Sequence, residues 1–158
     1  MNDHWRQETQ PLVLEGGIHM PYSWTVGRIG SRFLIELRDH GRVMANRCQK
    51  CSVGWVPPRQ RCPVCFEEIS DDDWFEAGPE GTLRHFTIVR YEHPGQPVKP
   101  PFAYGLIDLD GAGSAIAHLV SGVNLDELKS GMRVKPVLRK DREGAILDIE
   151  YFQPIIEE

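Results

Sequence analysis

Two Cys-x-x-Cys pairs, Cys48/Cys51 and Cys62/Cys65, constrain the fold of this chain more than any other feature. Each pair implies a tight turn that aims two thiolates at one point, and the ten residues Ser52 to Arg61 let both turns face a common centre. Pro57, Pro58 and Pro63 exclude a helix through the segment, so it must consist of knuckles and short strands. Four thiolates match the demand of a tetrahedral zinc ion. Iron in a rubredoxin-like S4 site accepts the same ligands, and two disulfides are the bland alternative. Residues Met1 to Gln10 mix Asp3, His4, Arg6 and Glu8 where a secretory leader needs an apolar stretch, and no run of 18 apolar residues occurs. These signals predict a cytoplasmic chain, whose reducing surroundings favour metal over disulfides. A metal that takes all four cysteines has no open coordination position. Its expected role is structural, replacing a core that so short a module cannot build.

With 158 residues and 41% hydrophobic content, the sequence suits one ordinary domain or two small ones. The formal charge of −5 grows more negative once thiolates bind a divalent ion, which disfavours a polyanionic partner. Charge is also unevenly spread. Arg42 to Phe66 carries Arg42, Arg47, Lys50, Arg59 and Arg61 without an acidic residue, whereas Glu67 to Glu80 holds seven acids without a Lys or Arg. A basic face beside an acidic one is therefore expected.

Gly16-Gly17 and Pro21 mark the first twenty-odd residues as an extended arm. Val26, Ile29, Phe33, Leu34 and Leu37 then recur at helical spacing, which predicts one amphipathic helix over Trp24 to His40, with Ser23 as N-cap and Gly41 as C-terminal glycine. Beyond the acidic connector, Gly81 to Tyr91, Phe102 to Leu109, Ser114 to Val120, Arg133 to Arg139 and Ala145 to Phe152 read as strands. Asp110-Gly111 signals a turn, and Asn124 to Lys129 a short helical insertion after the third strand. Five strands in this order predict a small closed Greek-key barrel of the oligonucleotide/oligosaccharide-binding type, the OB-fold. The expected fold is mainly β with an N-terminal helix. Its expected divisions are an arm and helix over 1–41, a rubredoxin-like zinc ribbon over 42–70, and the five-stranded barrel with its tail over 71–158.

Several motifs together resemble one family: Gly41-Arg42, Arg47-Cys48-x-x-Cys51, Pro57-Pro58-Arg59, Cys62-Pro63-x-Cys65, Gly81-Thr82, Phe86-Thr87, Pro101-Phe102-Ala103-Tyr104, Gly131-Met132-Arg133-Val134 and Tyr151-Phe152-x-Pro154. In that order they resemble the zinc-ribbon and OB-fold proteins grouped as domain of unknown function 35. The resemblance implies a non-catalytic accessory subunit that docks on a thiolase-fold catalytic subunit, forms a hetero-oligomer and helps hold or pass a CoA thioester. The run from Pro21-Tyr22 to Ser31-Arg32-Phe33 resembles the helical arm of members paired with degradative thiolases. The residues agree with this division of labour, since thiolase-type acyl transfer needs a cysteine nucleophile and all four cysteines are committed.

Candidate contacts to a bound CoA ester are cationic and aromatic. Arg59 and Arg61 on the ribbon, and Arg84, Arg90 and Lys99 on the barrel, are candidates for its phosphates. Arg59 leads because Pro57-Pro58 should hold its backbone; its bland alternative is a salt bridge to the acidic connector. Tyr104, Phe102 and Phe86 are candidates to line an apolar groove, although such residues are more often barrel core. His85 and His118 fall on expected strands, where a hydrogen-bonded structural role outweighs acid-base work. The helix and Trp5 are the expected partner contacts. A second reading is a single-stranded nucleic-acid module, because ribbons and OB barrels both recur there.

Overall fold

The computed structural model describes residues 12–13, 16–17 and 21–155. Trp5 and most of the expected arm lie outside the described residues. Helix α1 spans Gly27–His40. It begins later than the expected Trp24 because Gly27, at φ 73°, turns the chain into the helix. The Gly27 N–H donates to Thr25 Oγ1 at 3.1 Å, so Thr25 rather than Ser23 organises the entry. Gly41 ends the helix as expected. At φ 67° it donates its N–H to the Leu37 carbonyl at 3.0 Å, a geometry that a side chain would strain. Phe33 and Leu37 form the buried stripe.

Next in the chain come β1 (Met44–Arg47), β2 (Gly54–Trp55) and, after the cysteines, β3 (Trp74–Glu76). They form an antiparallel sheet in the order β2-β1-β3. The barrel consists of β4 (Gly81–Val89), β5 (Phe102–Leu109), β6 (Ala115–Val120), β7 (Arg133–Leu138) and β8 (Ile149–Pro154). It closes in the order β4-β5-β6-β8-β7. The mainly β fold with one N-terminal helix and a five-stranded barrel is thus observed. Strand β5 shows how alternation builds it: Ala103, Gly105, Ile107 and Leu109 are buried, while Tyr104 and Leu106 face outward. Gly105 allows closure, since a Cβ there would sit 2.5 Å from Leu83 Cδ1 and 2.9 Å from Val120 Cγ2. Gly111, at φ 81°, completes the β5–β6 turn.

One buried cluster joins α1, the ribbon sheet and the barrel through Phe33, Leu37, Ala45, Val56, Ile107 and Phe152. Polar bonds reinforce that junction. Gly113 donates to the Gly54 carbonyl at 2.8 Å, and Ser114 Oγ accepts from Val56 N–H at 2.8 Å and donates to the Val56 carbonyl at 3.0 Å. Arg47 stacks on Phe75 at 4.6 Å and donates to the Gly111 carbonyl at 3.2 Å.

The last strand departs from its expected start. Residues Ile146–Asp148 form a 3₁₀ turn, and extension resumes at Ile149. The cause is Asp148, buried at 2% exposure, whose carboxylate accepts the N–H groups of Glu143, Gly144 and Ala145 at 3.0, 2.7 and 3.1 Å. Burial pulls this carboxyl pKa upward, but the three donors outweigh it and hold the group below its ordinary value. A lowered folded pKa contributes stability in full above the unfolded value of about 3.9 and loses it as pH falls through the folded value. Asp148→Ala is expected to cost about 2–3 kcal/mol at pH 7. The gap between variant and wild type should narrow below about pH 4 in urea melts; an unchanged gap at pH 3 would contradict the assignment.

Candidate metal centre and ligand-contact residues

The two cysteine turns share one design. Cys48 donates its N–H to the Val53 carbonyl at 3.0 Å, and Ser52 donates back to the Cys48 carbonyl at 2.7 Å. Cys62 bonds the Glu67 carbonyl and Phe66 bonds the Cys62 carbonyl, both at 2.9 Å. Ser52 and Phe66, each the residue after the second cysteine of its turn, are left-handed at φ 57° and 62°. Neither is glycine, so both turns store strain that something at their focus must offset.

That focus is the four thiols. Their Sγ atoms all lie within 4.8 Å of one another, with Cys48 and Cys65 at 3.5 Å. Tetrahedral bonds of about 2.3 Å require ligand sulfurs about 3.8 Å apart, so the spacing and the donor set fit a thiophilic ion. Cys48 and Cys62 are buried; Cys51 and Cys65 are half-buried. The packed thiols perturb one another's acidity. Hydrogen bonding to Cys65, burial and a further bond to Cys62 push Cys51 up to about 12. Cys62 resists burial through the Cys65 and Val64 backbone N–H groups and falls to about 6. Four thiolates so close need a positive charge to coexist, and a metal supplies it. Ile69 and Trp55 wall the centre.

The Arg59 backbone is held by a partner that spacing does not show. Buried Asn46 donates from Nδ2 to the Arg59 carbonyl at 2.7 Å and accepts the Arg59 N–H on Oδ1 at 3.0 Å. The Arg59 side chain is exposed and, among the described residues, makes no ion pair. It lines a hollow of about 410 Å³ with Arg28 and the first turn of α1. Arg61, and not Arg59, pairs with the acidic connector, through Glu68 at 3.7 Å. Lys50 pairs with Glu67 at 2.9 Å, and Arg28 with Asp71. The basic and acidic stretches therefore pair with each other at Lys50–Glu67 and Arg61–Glu68, and do not stand as a separate basic face beside an acidic one.

On the barrel, Arg84 is spoken for: its guanidinium grips Asp108, with Nε to Oδ2 at 2.7 Å. A bulge between Leu83 and His85 brings the two side chains together. Phe86 packs against the main core. Phe102 and Tyr104 instead line an outer hollow of about 570 Å³ with Val89, Leu119 and Ile146, and Lys99 lines an adjoining one of about 390 Å³. The Tyr104 hydroxyl donates to the Ala117 carbonyl at 3.4 Å. His118, 3% exposed, donates from Nε2 to the Ile146 carbonyl at 3.2 Å, while burial lowers its pKa and keeps the ring neutral. His85 is exposed. The structure thus brings Tyr104, Phe102 and Lys99 into one region and leaves Arg59 and Arg61 on the ribbon. Among the described residues no helix is long and apolar enough to cross a membrane.

Comparison with known proteins matches these features to others. A family model described as the C-terminal OB-fold domain of ChsH2 covers residues 74–139. A DUF35 domain-containing scaffold protein of Pyrococcus furiosus is 30% identical over 130 residues, spanning 80% of this chain and 93% of that protein. One from Methanocaldococcus jannaschii is 22% identical over 129 residues, spanning 76% and 86%. Among solved structures, a chain of the Ltp2-ChsH2(DUF35) aldolase superposes with a TM-score of 0.61 at 20% identity, covering 84% of this chain and 98% of that one. A DUF35-family protein of unknown function from Sulfolobus solfataricus gives 0.57 at 23% identity, covering 70% and 78%.

Proposed function

The chain belongs to the DUF35 family, and from that membership we propose that it is a non-catalytic accessory subunit of a thiolase-type enzyme that forms or cleaves 3-oxoacyl-CoA. The observation that carries the reading is the convergence of all four cysteines on one point, which commits every thiol in the sequence to a structural ion. A neighbour of the same fold occurs in an aldolase complex, and relatives are named scaffold proteins; both support a partnered role. The proposed ion is zinc, held by Cys48, Cys51, Cys62 and Cys65; when bound it supplies a fixed positive centre that ties the two knuckles together. Exposed Tyr22 and Trp24, tilted against each other with ring centroids 5.2 Å apart ahead of α1, offer the partner aromatic surface.

Co-expressed with a thiolase-type catalytic subunit, the chain is expected to elute with it as one stoichiometric species. Two separate peaks at micromolar concentration would overturn the reading. Arg59 is the proposed phosphate contact, being positioned by Asn46 and unpaired among the described residues. Arg59→Ala should weaken CoA binding to the complex about tenfold by calorimetry, and an unchanged Kd would remove Arg59 from the site. Arg84, gripped by Asp108, is a weaker candidate than Arg59 or Lys99. The nucleic-acid reading gains no support, because Glu67 and Glu68 pair with Lys50 and Arg61 on the ribbon, and Asp71 pairs with Arg28 of α1.

A further inference from the structure

The outer hollow beside Tyr104 differs in chemistry from the hollows that hold Arg59 and Lys99. Of the described residues that line its 570 Å³, none is Asp, Glu, Lys or Arg. In a chain with 26% charged residues, so large a concavity without one selects for an uncharged occupant. Its size falls within the range of small-molecule sites, about 300–1,000 Å³.

Both walls are braced from within the chain. On one side Gln96 accepts the His93 N–H and donates to the Tyr91 carbonyl, each at 3.0 Å, which fixes the loop after β4. On the other, the carboxylate of Asp148 shapes the 3₁₀ turn, and His118 bonds its Ile146 carbonyl. Burial keeps that imidazole neutral, so the floor carries no charge at neutral pH. Phe102 and Leu119 also line the adjoining 390 Å³ hollow, where Lys99 stands. The two hollows make one furrow, apolar at one end and charged at the other, where Lys99 and Glu150 stand.

We propose that this furrow receives the uncharged acyl chain of the thioester in its neutral end and leaves the polar remainder at the end where Lys99 and Glu150 stand. The identity of the occupant rests on the function proposed above; the existence of the site does not.

The test uses the full chain with its metal and the neutral fluorophore N-phenyl-1-naphthylamine. Its emission should rise to saturation with wild type. Octanoyl-CoA should displace it, and CoA at equal concentration should not. Tyr104 is 43% exposed, so Tyr104→Arg should fold with an unchanged thermal midpoint yet bind the probe at least tenfold more weakly. Tyr104→Phe, which keeps the ring, should bind within twofold of wild type. The proposal is overturned if wild type gives no saturable rise, if CoA displaces the probe as well as octanoyl-CoA, or if Tyr104→Arg binds like wild type. Should the chain pass this titration yet never co-elute with a catalytic subunit, the accessory role alone falls. Co-elution with a failed titration removes the furrow alone.

Discussion

Stripping the metal from the purified chain at neutral pH is expected to unfold the ribbon and shift Trp55 emission to the red. The buried cluster around the thiols contains, besides Cys48 and Cys62, only Ile69, with Trp55 partly buried against it. Ordering a residue costs about 1–2 kcal/mol of backbone entropy, which so small a core cannot offset across the two cysteine turns. The left-handed Ser52 and Phe66 add strain to the same account. Structural zinc contributes an apparent ~10–16 kcal/mol in zinc-finger peptides, so a bound ion would dominate the local balance here. The loss should also spread. Val43, Met44, Ala45 and Val56 belong to the cluster that includes barrel residues Ile107 and Phe152, so the thermal midpoint of the whole chain should drop. Elemental analysis should find one zinc per chain, and Cys62→Ser should copy the chelated state. A metal-free chain with unchanged emission and midpoint would refute the structural role.

The ribbon and the barrel were legible because each rests on a short-range pattern. Paired cysteines report a shared focus wherever the chain goes between them, and alternation such as Ala103, Gly105 and Ile107 reports which face of β5 is buried. What stayed hidden depends on contacts between distant residues. Nothing near Asp148 announces three backbone donors, and its removal of Ala145–Asp148 from the strand follows from them. Asn46 reads as an ordinary polar residue until the fold places the Arg59 peptide against it. The pairing of β3 with β1 joins residues on either side of both knuckles, a separation that periodicity does not span. For the ligand residues the difficulty is of another kind. Sequence supplies the cations but not their partners, so Arg84 and Arg59 look alike until Asp108 is found gripping the first.

Phe152→Ala is expected to be among the most damaging single substitutions in the barrel, because Phe152 closes its weakest seam. Strands β6 and β8 run parallel and pair through Val120 and Phe152 alone, with Ser121 donating to the Phe152 carbonyl at 3.0 Å. With so little ladder, side-chain packing must hold the seam. The Phe152 ring is fully buried and meets the His118 ring edge-on at 5.8 Å. Truncation to alanine should cost about 3–5 kcal/mol and lower the thermal midpoint by roughly 10 °C or more. Phe152→Leu, which keeps most of the volume, should cost about 1–2 kcal/mol. Urea titration separates the causes: a lower midpoint with unchanged slope reports lost packing, whereas a changed slope reports a seam that has opened. In the second case His118 loses its neighbour and the floor beside Tyr104 is no longer fixed, so probe binding should fall with stability. A cost below about 1 kcal/mol would mean that the barrel closes without Phe152, and the furrow would then need another support.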